Sequence, residues 1–129
     1  MPSLAPRIHH LAILVRDLAA AEAFYVGLLG LPVIKRHPEA DGSLRSIWVG
    51  IGGEAFLAIE KAKPGAEPRQ EDGPGWHMLV LDVEPKDRLV WKETLSAAGF
   101  PCLKETSFTS YFRDSEGNWL GLSHYPRQS

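Results

Sequence analysis

His10 and His77 each stand at the head of an apolar run, His10-Leu11-Ala12-Ile13-Leu14-Val15 in one case and His77-Met78-Leu79-Val80-Leu81 in the other. An imidazole so placed either hydrogen-bonds a neighbour inside a core or offers a nitrogen to a cation or a proton. Two of them at matching places begin a metal site, which a carboxylate would extend. Glu60 closes a third apolar run; a carboxylate there is either solvated at a strand end or a further ligand. Arg113 lies among aromatic residues, where a guanidinium seeks an anion. Cys102, the only cysteine, reads as a small core residue with nothing beside it to activate a thiol.

Strands must carry these groups, because residues two apart on a strand share a face. Residues 8–15 form a nearly continuous β-prone apolar run, which predicts a strand buried on both faces. His10 shares its face with Ile8, Ala12 and Leu14, and His9 points the other way. Asp17 is placed to cap a helix whose apolar residues Ala21, Phe24, Tyr25, Leu28 and Leu29 recur at helical spacing. Gly30 and Pro32 end that helix. Strands follow at about 33–37, 44–51 and 55–61, the last two joined through Gly52-Gly53. Residues 63–75 hold three prolines and three glycines and read as a linker. The plan then restarts: a strand at 76–83, a helix at 86–98 with Trp91 and Leu95 on one face, then strands near 102–105, 109–113 and 118–124. Ser115-Glu116-Gly117 forms the last hairpin turn.

The two halves overlay. His10 corresponds to His77, and fourteen residues later Phe24 corresponds to Trp91. Gly30-Leu31-Pro32-Val33 corresponds to Gly99-Phe100-Pro101-Cys102, and Ser46-Ile47-Trp48 to Ser110-Tyr111-Phe112. Each half is a βαβββ unit. One such unit leaves a sheet face uncovered, so two are expected to pair around a core or cavity. The expected fold class is α+β: one domain over 1–129, with modules at about 8–62 and 76–125 and a linker at 63–75.

Composition narrows the partners. With 44% hydrophobic and 23% charged residues, the 129-residue chain is an ordinary globular one. Fourteen basic against sixteen acidic residues give a net charge of −2, with no basic cluster, which argues against nucleic acid. The apolar run at 11–15 is far too short to span a bilayer. Arg7 and His9 interrupt the place where a signal peptide would need its apolar heart. A lone cysteine suits a reducing cytoplasm.

The segment Ile8-His9-His10-Leu11-Ala12-Ile13-Leu14-Val15-Arg16-Asp17-Leu18, continuing to Phe24-Tyr25 and Leu28-Leu29-Gly30-Leu31, resembles the opening motif of the vicinal oxygen chelate superfamily. That superfamily holds glyoxalases, extradiol dioxygenases, epimerases, fosfomycin-resistance transferases and bleomycin-binding proteins. Phe112-Arg113-Asp114-Ser115-Glu116-Gly117-Asn118-Trp119-Leu120 is similar to its closing motif, with Ser115 where proline is common. The resemblance implies mixed sheets curled into a cup, and a homodimer. In active members it implies a divalent metal (Zn, Ni, Mn or Fe) held by up to four side chains, one pair per half. It marks His10 and His77 as ligands, and Glu60 as a third by its distance from Pro64; counting from Gly52-Gly53 points to Ala58 instead. At the fourth position, where relatives carry a Glu, this chain has Gly121. His124 lies three residues further, on the opposite face by alternation. Trp48, Phe56, Thr109, Tyr111, Arg113 and Trp119 are expected to line the cup and touch a small-molecule ligand. Two functions follow as expectations: a metal-dependent lyase, isomerase or dioxygenase acting on a small oxygen-rich molecule, and a metal-free binding protein of the bleomycin-resistance type.

Overall fold

The computed structural model describes residues 2–70 and 73–128, so part of the expected linker, Glu71 and Asp72, lies outside the described residues. The chain forms two compact units, Met1–Ala66 and Glu67–Ser129.

In the first unit, strand β1 (His10–Val15) leads to helix α1 (Leu18–Glu22). Asp17 caps the helix, its Oδ1 accepting from the Ala20 N–H at 2.9 Å. The helix runs directly into a π-helical turn at Ala23–Leu28, an irregularity that apolar periodicity does not reveal. Its wider winding keeps Phe24 and Tyr25 buried together. Gly30, at φ 75°, lets the chain turn back, and the Leu31 N–H returns to the Tyr25 carbonyl. Strands β2 (Val33–Pro38), β3 (Leu44–Gly52) and β4 (Ala55–Lys61) complete a sheet in the order β1-β4-β3-β2, with β1 parallel to β4 and the other pairs antiparallel.

The second unit repeats the plan. Strand β5 (Met78–Asp82) leads through a 3-10 turn at Pro85–Asp87 to helix α2 (Arg88–Ala97). Strands β6 (Lys104–Glu105), β7 (Thr109–Arg113) and β8 (Trp119–Ser123) give the order β5-β8-β7-β6, again with one parallel pair, β5 with β8. The fold is thus α+β, two four-stranded mixed sheets that do not close.

Each sheet buries one face beneath its helix. In the first unit that face carries Val15, Ile47, Val49, Leu57 and Ile59. The bidentate Arg36–Glu22 pair (2.6 and 3.0 Å) ties β2 to α1 on the same side. In the second unit Phe112, Leu120 and Leu122 take this role, and Arg88 at the head of α2 reaches Ser110 Oγ at 2.9 Å. One expectation needs correction here. Strand β1 is not buried on both faces; among the described residues it is an edge strand paired with β4 alone, and Leu14 is 66% exposed. Ile8 lies before the strand and is exposed as well.

Candidate functional site

The candidate residues sit on the sheet faces away from the helices, and register arranges them in rows. In the first unit His10 stands beside Phe56; Ala12 beside Ala58, which pairs with Trp48; and Leu14 beside Glu60, which pairs with Ser46. Trp48 leans onto Phe56, and a ladder of rings crosses all four strands. His37 lies against Trp48 with centroids 4.5 Å apart, Trp48 stacks on Phe56 at 4.5 Å, and Phe56 stacks on His10 at 4.7 Å with the planes 3° from parallel. Beside this ladder Ala12 and Ala58 contribute only methyl groups.

His9, expected to point away, instead packs edge-on against His10 and Phe56. It precedes β1, so strand alternation does not govern it. Its Nδ1 lies 2.9 Å from His10 Nδ1; one of the two carries the shared proton, and His10 keeps Nε2 without a hydrogen-bond partner among the described residues. Glu60 also has no hydrogen-bond or ion-pair partner among them. His37 Nε2 is buried, with no hydrogen-bond partner among the described residues.

The second unit has matching rows with different contents. Met78 stands beside Trp119, which pairs with Arg113; Val80 beside Gly121, which pairs with Tyr111; and Asp82 beside Ser123, which pairs with Thr109. Here the polar groups satisfy one another. The Arg113 guanidinium lies 4.1 Å over the Trp119 ring and donates to the Gly117 carbonyl at 2.8 Å. Thr109 Oγ1 donates to Ser123 Oγ at 2.7 Å. A Cβ on Gly121 would lie 3.1 and 3.3 Å from the Val80 methyls, so Val80 occupies the space that a longer side chain would need.

The pairings put the repeat in a different register from the sequence landmarks. Ala58 pairs with Trp48 and Ala12, and Gly121 pairs with Tyr111 and Val80. Ala58 is therefore equivalent to Gly121, His10 to Met78 rather than His77, and Trp48 to Tyr111 rather than Phe112. The landmarks were matched by position along each half, and the two halves space their elements differently. The connection from strand to helix is two residues in the first unit, and in the second it contains an added 3-10 turn. Glu60 lies two positions beyond Ala58, about 7 Å further along β4. His77 precedes β5 and lines a cavity with Arg69, Trp76 and Trp119.

That register bears on the metal implied by the family. The equivalent positions are His10 with Ala58 in one unit and Met78 with Gly121 in the other, so only one of the four carries a nitrogen or carboxylate ligand. Within neither unit do three His, Cys, Asp or Glu side chains converge, among the described residues. A hard or borderline divalent ion needs at least three such donors. This donor set does not fit it. His124 is no substitute: it is 3% exposed, with Nδ1 against the Arg127 carbonyl at 2.6 Å and Nε2 facing Arg88 Nη1 at 3.3 Å. Because arginine only donates, Nε2 accepts and Nδ1 carries the proton.

The closing motif is a turn. Buried Asp114 accepts from the N–H groups of Glu116 and Asn118 through Oδ1 (2.9 and 2.8 Å), and from Asn118 Nδ2 through Oδ2 at 3.0 Å. Gly117 supplies the φ of 87° the hairpin requires. At the other end of β7, Arg88 spends its guanidinium on Ser110, His124, Glu105 and the carbonyls of Thr106, Ser107 and Thr109, docking α2 onto the β6–β7 connection. Lys92 also donates to Glu105, at 2.6 Å, and that bond holds the Glu105 carboxyl below its ordinary value. Cys102 is half-buried, its thiol donating to the Lys104 carbonyl at 3.3 Å.

Two tandem βαβββ units, each with one helix-covered and one helix-free sheet face, define an α+β protein of the glyoxalase fold. The chain belongs to the Glyoxalase/Bleomycin resistance protein/Dioxygenase superfamily, whose model matches residues 7–122. A glyoxalase/dioxygenase from Nostoc punctiforme has a similar fold, with a TM-score of 0.79 at 20% identity over 98% of this chain and 99% of that one. Lactoylglutathione lyase from Agrobacterium tumefaciens is similar at a TM-score of 0.67 and 22% identity, over 96% and 95% of the two chains. An uncharacterized protein of Pseudomonas aeruginosa, PA2024, is 35% identical over 66 residues, a match spanning 51% of this chain and 46% of that protein. No helix among the described residues is long and apolar enough to cross a membrane.

Proposed function

We propose that this member of the superfamily works without a metal, as a binding protein for a small, flat organic molecule held against the ring ladder of the first unit. The observation that carries this reading is the register: three of the four positions that would hold the ion are Ala58, Met78 and Gly121. What the first unit keeps suits an organic ligand instead. Exposed Ala12 leaves a low place beside His10 and the stacked rings of Phe56 and Trp48, and His10 Nε2 and Glu60 are polar groups still free to bond among the described residues. Because the rings stack on one another across the strands, they offer a ligand their electropositive edges, which favours the face of another π system. The second unit's matching row is already closed by Val80 over Gly121, so the ladder's ligand has no equivalent place there.

Thermal shift of protein purified without chelator or nickel affinity tests this. Zn²⁺, Ni²⁺, Mn²⁺ and Fe²⁺ should leave Tm unchanged. The neutral probe 2-naphthol should raise it in the wild type but not in Ala12→Val, which gives the first unit the residue that closes the second. One metal ion per chain, lost on His10→Ala, would replace this reading with the metal-dependent enzyme built on His10, Glu60 and His77.

A further inference from the structure

The cavity beside His77 is lined wholly by residues of the second unit and has a volume of about 270 Å³. That is just under the roughly 300 Å³ at which pockets for drug-sized ligands begin, so a molecule of one or two rings fills it. Its wall holds one cation, Arg69. The guanidinium is fixed by two bonds: Nη1 donates to Asn118 Oδ1 at 3.1 Å and Nη2 to the Trp76 carbonyl at 2.8 Å. Both acceptors are neutral, and Arg69 has no carboxylate partner among the described residues. Among the described residues its charge is oriented without being neutralised.

The orientation is built, because Asn118 is itself held. Its Nδ2 donates to Asp114, which turns Oδ1 toward Arg69. The closing turn thus aims a side chain 49 residues earlier in the sequence. Two indoles complete the wall. Trp76 is 89% exposed, an unusual state for so large an apolar group, and Gly75 at φ 146° makes the bend that delivers it. Trp119 borders the cavity on β8, stacked with Arg113. His77 adds an imidazole with both nitrogens free of hydrogen-bond partners among the described residues.

We propose that this cavity is a second binding site, for a small aromatic carboxylate: the carboxylate pairs with Arg69 and His77, and the ring lies against Trp76 and Trp119. A fixed cation with spare N–H groups recognises an anion, and exposed indole surface recognises a ring.

The test is two-dimensional NMR of the full chain with ¹⁵N-labelled tryptophan, titrated with 2-naphthoate. The indole N–H signals of Trp76 and Trp119 should move together and saturate, while that of Trp91 stays. Arg69→Gln should weaken binding about tenfold or more, the value of a charge-assisted bond to an anion, without changing the remaining spectrum. Trp76→Ala, at an exposed position, should weaken it with Tm preserved. Trp48 reports separately on the ladder and is the signal that 2-naphthol should move. Shifts confined to Trp48, no shift of Trp76 or Trp119 at millimolar 2-naphthoate, or a titration unchanged by Arg69→Gln would each overturn the site while leaving the proposal for the first unit to its own test.

Discussion

Gly121 is where the chain departs from the carboxylate that its resemblance implies, and the structure gives the departure a neighbour. Val80 sits over it, so a side chain at 121 must displace a β-branched residue whose χ1 is stiff. Gly121→Ala should therefore cost about 1 kcal/mol or more by overpacking. Val80→Ala in the same chain should relieve that cost, because the pair then copies Ala12 and Ala58. A double-mutant cycle by urea denaturation measures this; additive effects of the two substitutions would mean that they do not share the space. Gly121→Glu should lose stability further, and added metal should not restore it, because Met78 and not a histidine stands at the place equivalent to His10. Arg113 follows the same logic. A guanidinium among aromatics does seek a partner, and it finds the Trp119 face and the Gly117 carbonyl.

Helix α2 is joined to its sheet as much by charge as by Leu95. Glu105 receives Lys92 Nζ at 2.6 Å, Arg88 Nη2 at 3.0 Å and Ser110 Oγ at 3.1 Å. Its carboxyl is held below the ordinary value of 4.5, chiefly by the Lys92 bond, and Glu22 in the first unit is held down likewise by Arg36. A depressed carboxylate binds fewer protons folded than unfolded, so its stabilisation is complete above the ordinary value and is lost as pH falls through the folded one. Stability should therefore decline as pH drops below about 4.5. Lys92→Gln should lower the neutral plateau slightly and flatten part of that decline, leaving the share due to Glu22. Chemical denaturation from pH 7 to pH 3 reads this directly. An acid limb of unchanged slope in Lys92→Gln would show that Lys92 does not hold the carboxyl down.

At the scale of the whole molecule, exposed sheet edges bear on whether copies of the chain pair. The outer strand β2 carries Lys35, Arg36 and Pro38, and β6 is only two residues long; both are ways of blunting an edge. At the other end, β5 in the second sheet ends on Asp82, which Arg127 engages, but β1 in the first sheet has no such protection. Strand β1 contains no charged residue and no proline, and it pairs on one side only. Sedimentation should therefore find a homodimer, and a monomer at micromolar concentration would count against edge-driven assembly.

The sequence by itself determined the α+β class, the two βαβββ units, the capping role of Asp17 and the shared face of Ala58 and Glu60. These follow from local rules, apolar period, turn residues and strand alternation, each acting within a few residues. It also marked the segment from Phe112 to Leu120, whose turn chemistry is written in Asp114, Gly117 and Asn118. What it could not determine was which residues of different strands stand side by side. Register depends on pairing across the sheet, and it puts Met78 rather than His77 at the place equivalent to His10, and Tyr111 at the place equivalent to Trp48. The same limit hid the ring ladder, whose members His37, Trp48, Phe56 and His10 come from four strands. It hid Arg69 as well, a polar residue in a linker, whose meaning appears only when Asn118 and Trp76 are brought to it. Only tertiary structure decided these, because a contact between residues far apart in the chain leaves no periodic trace in either segment.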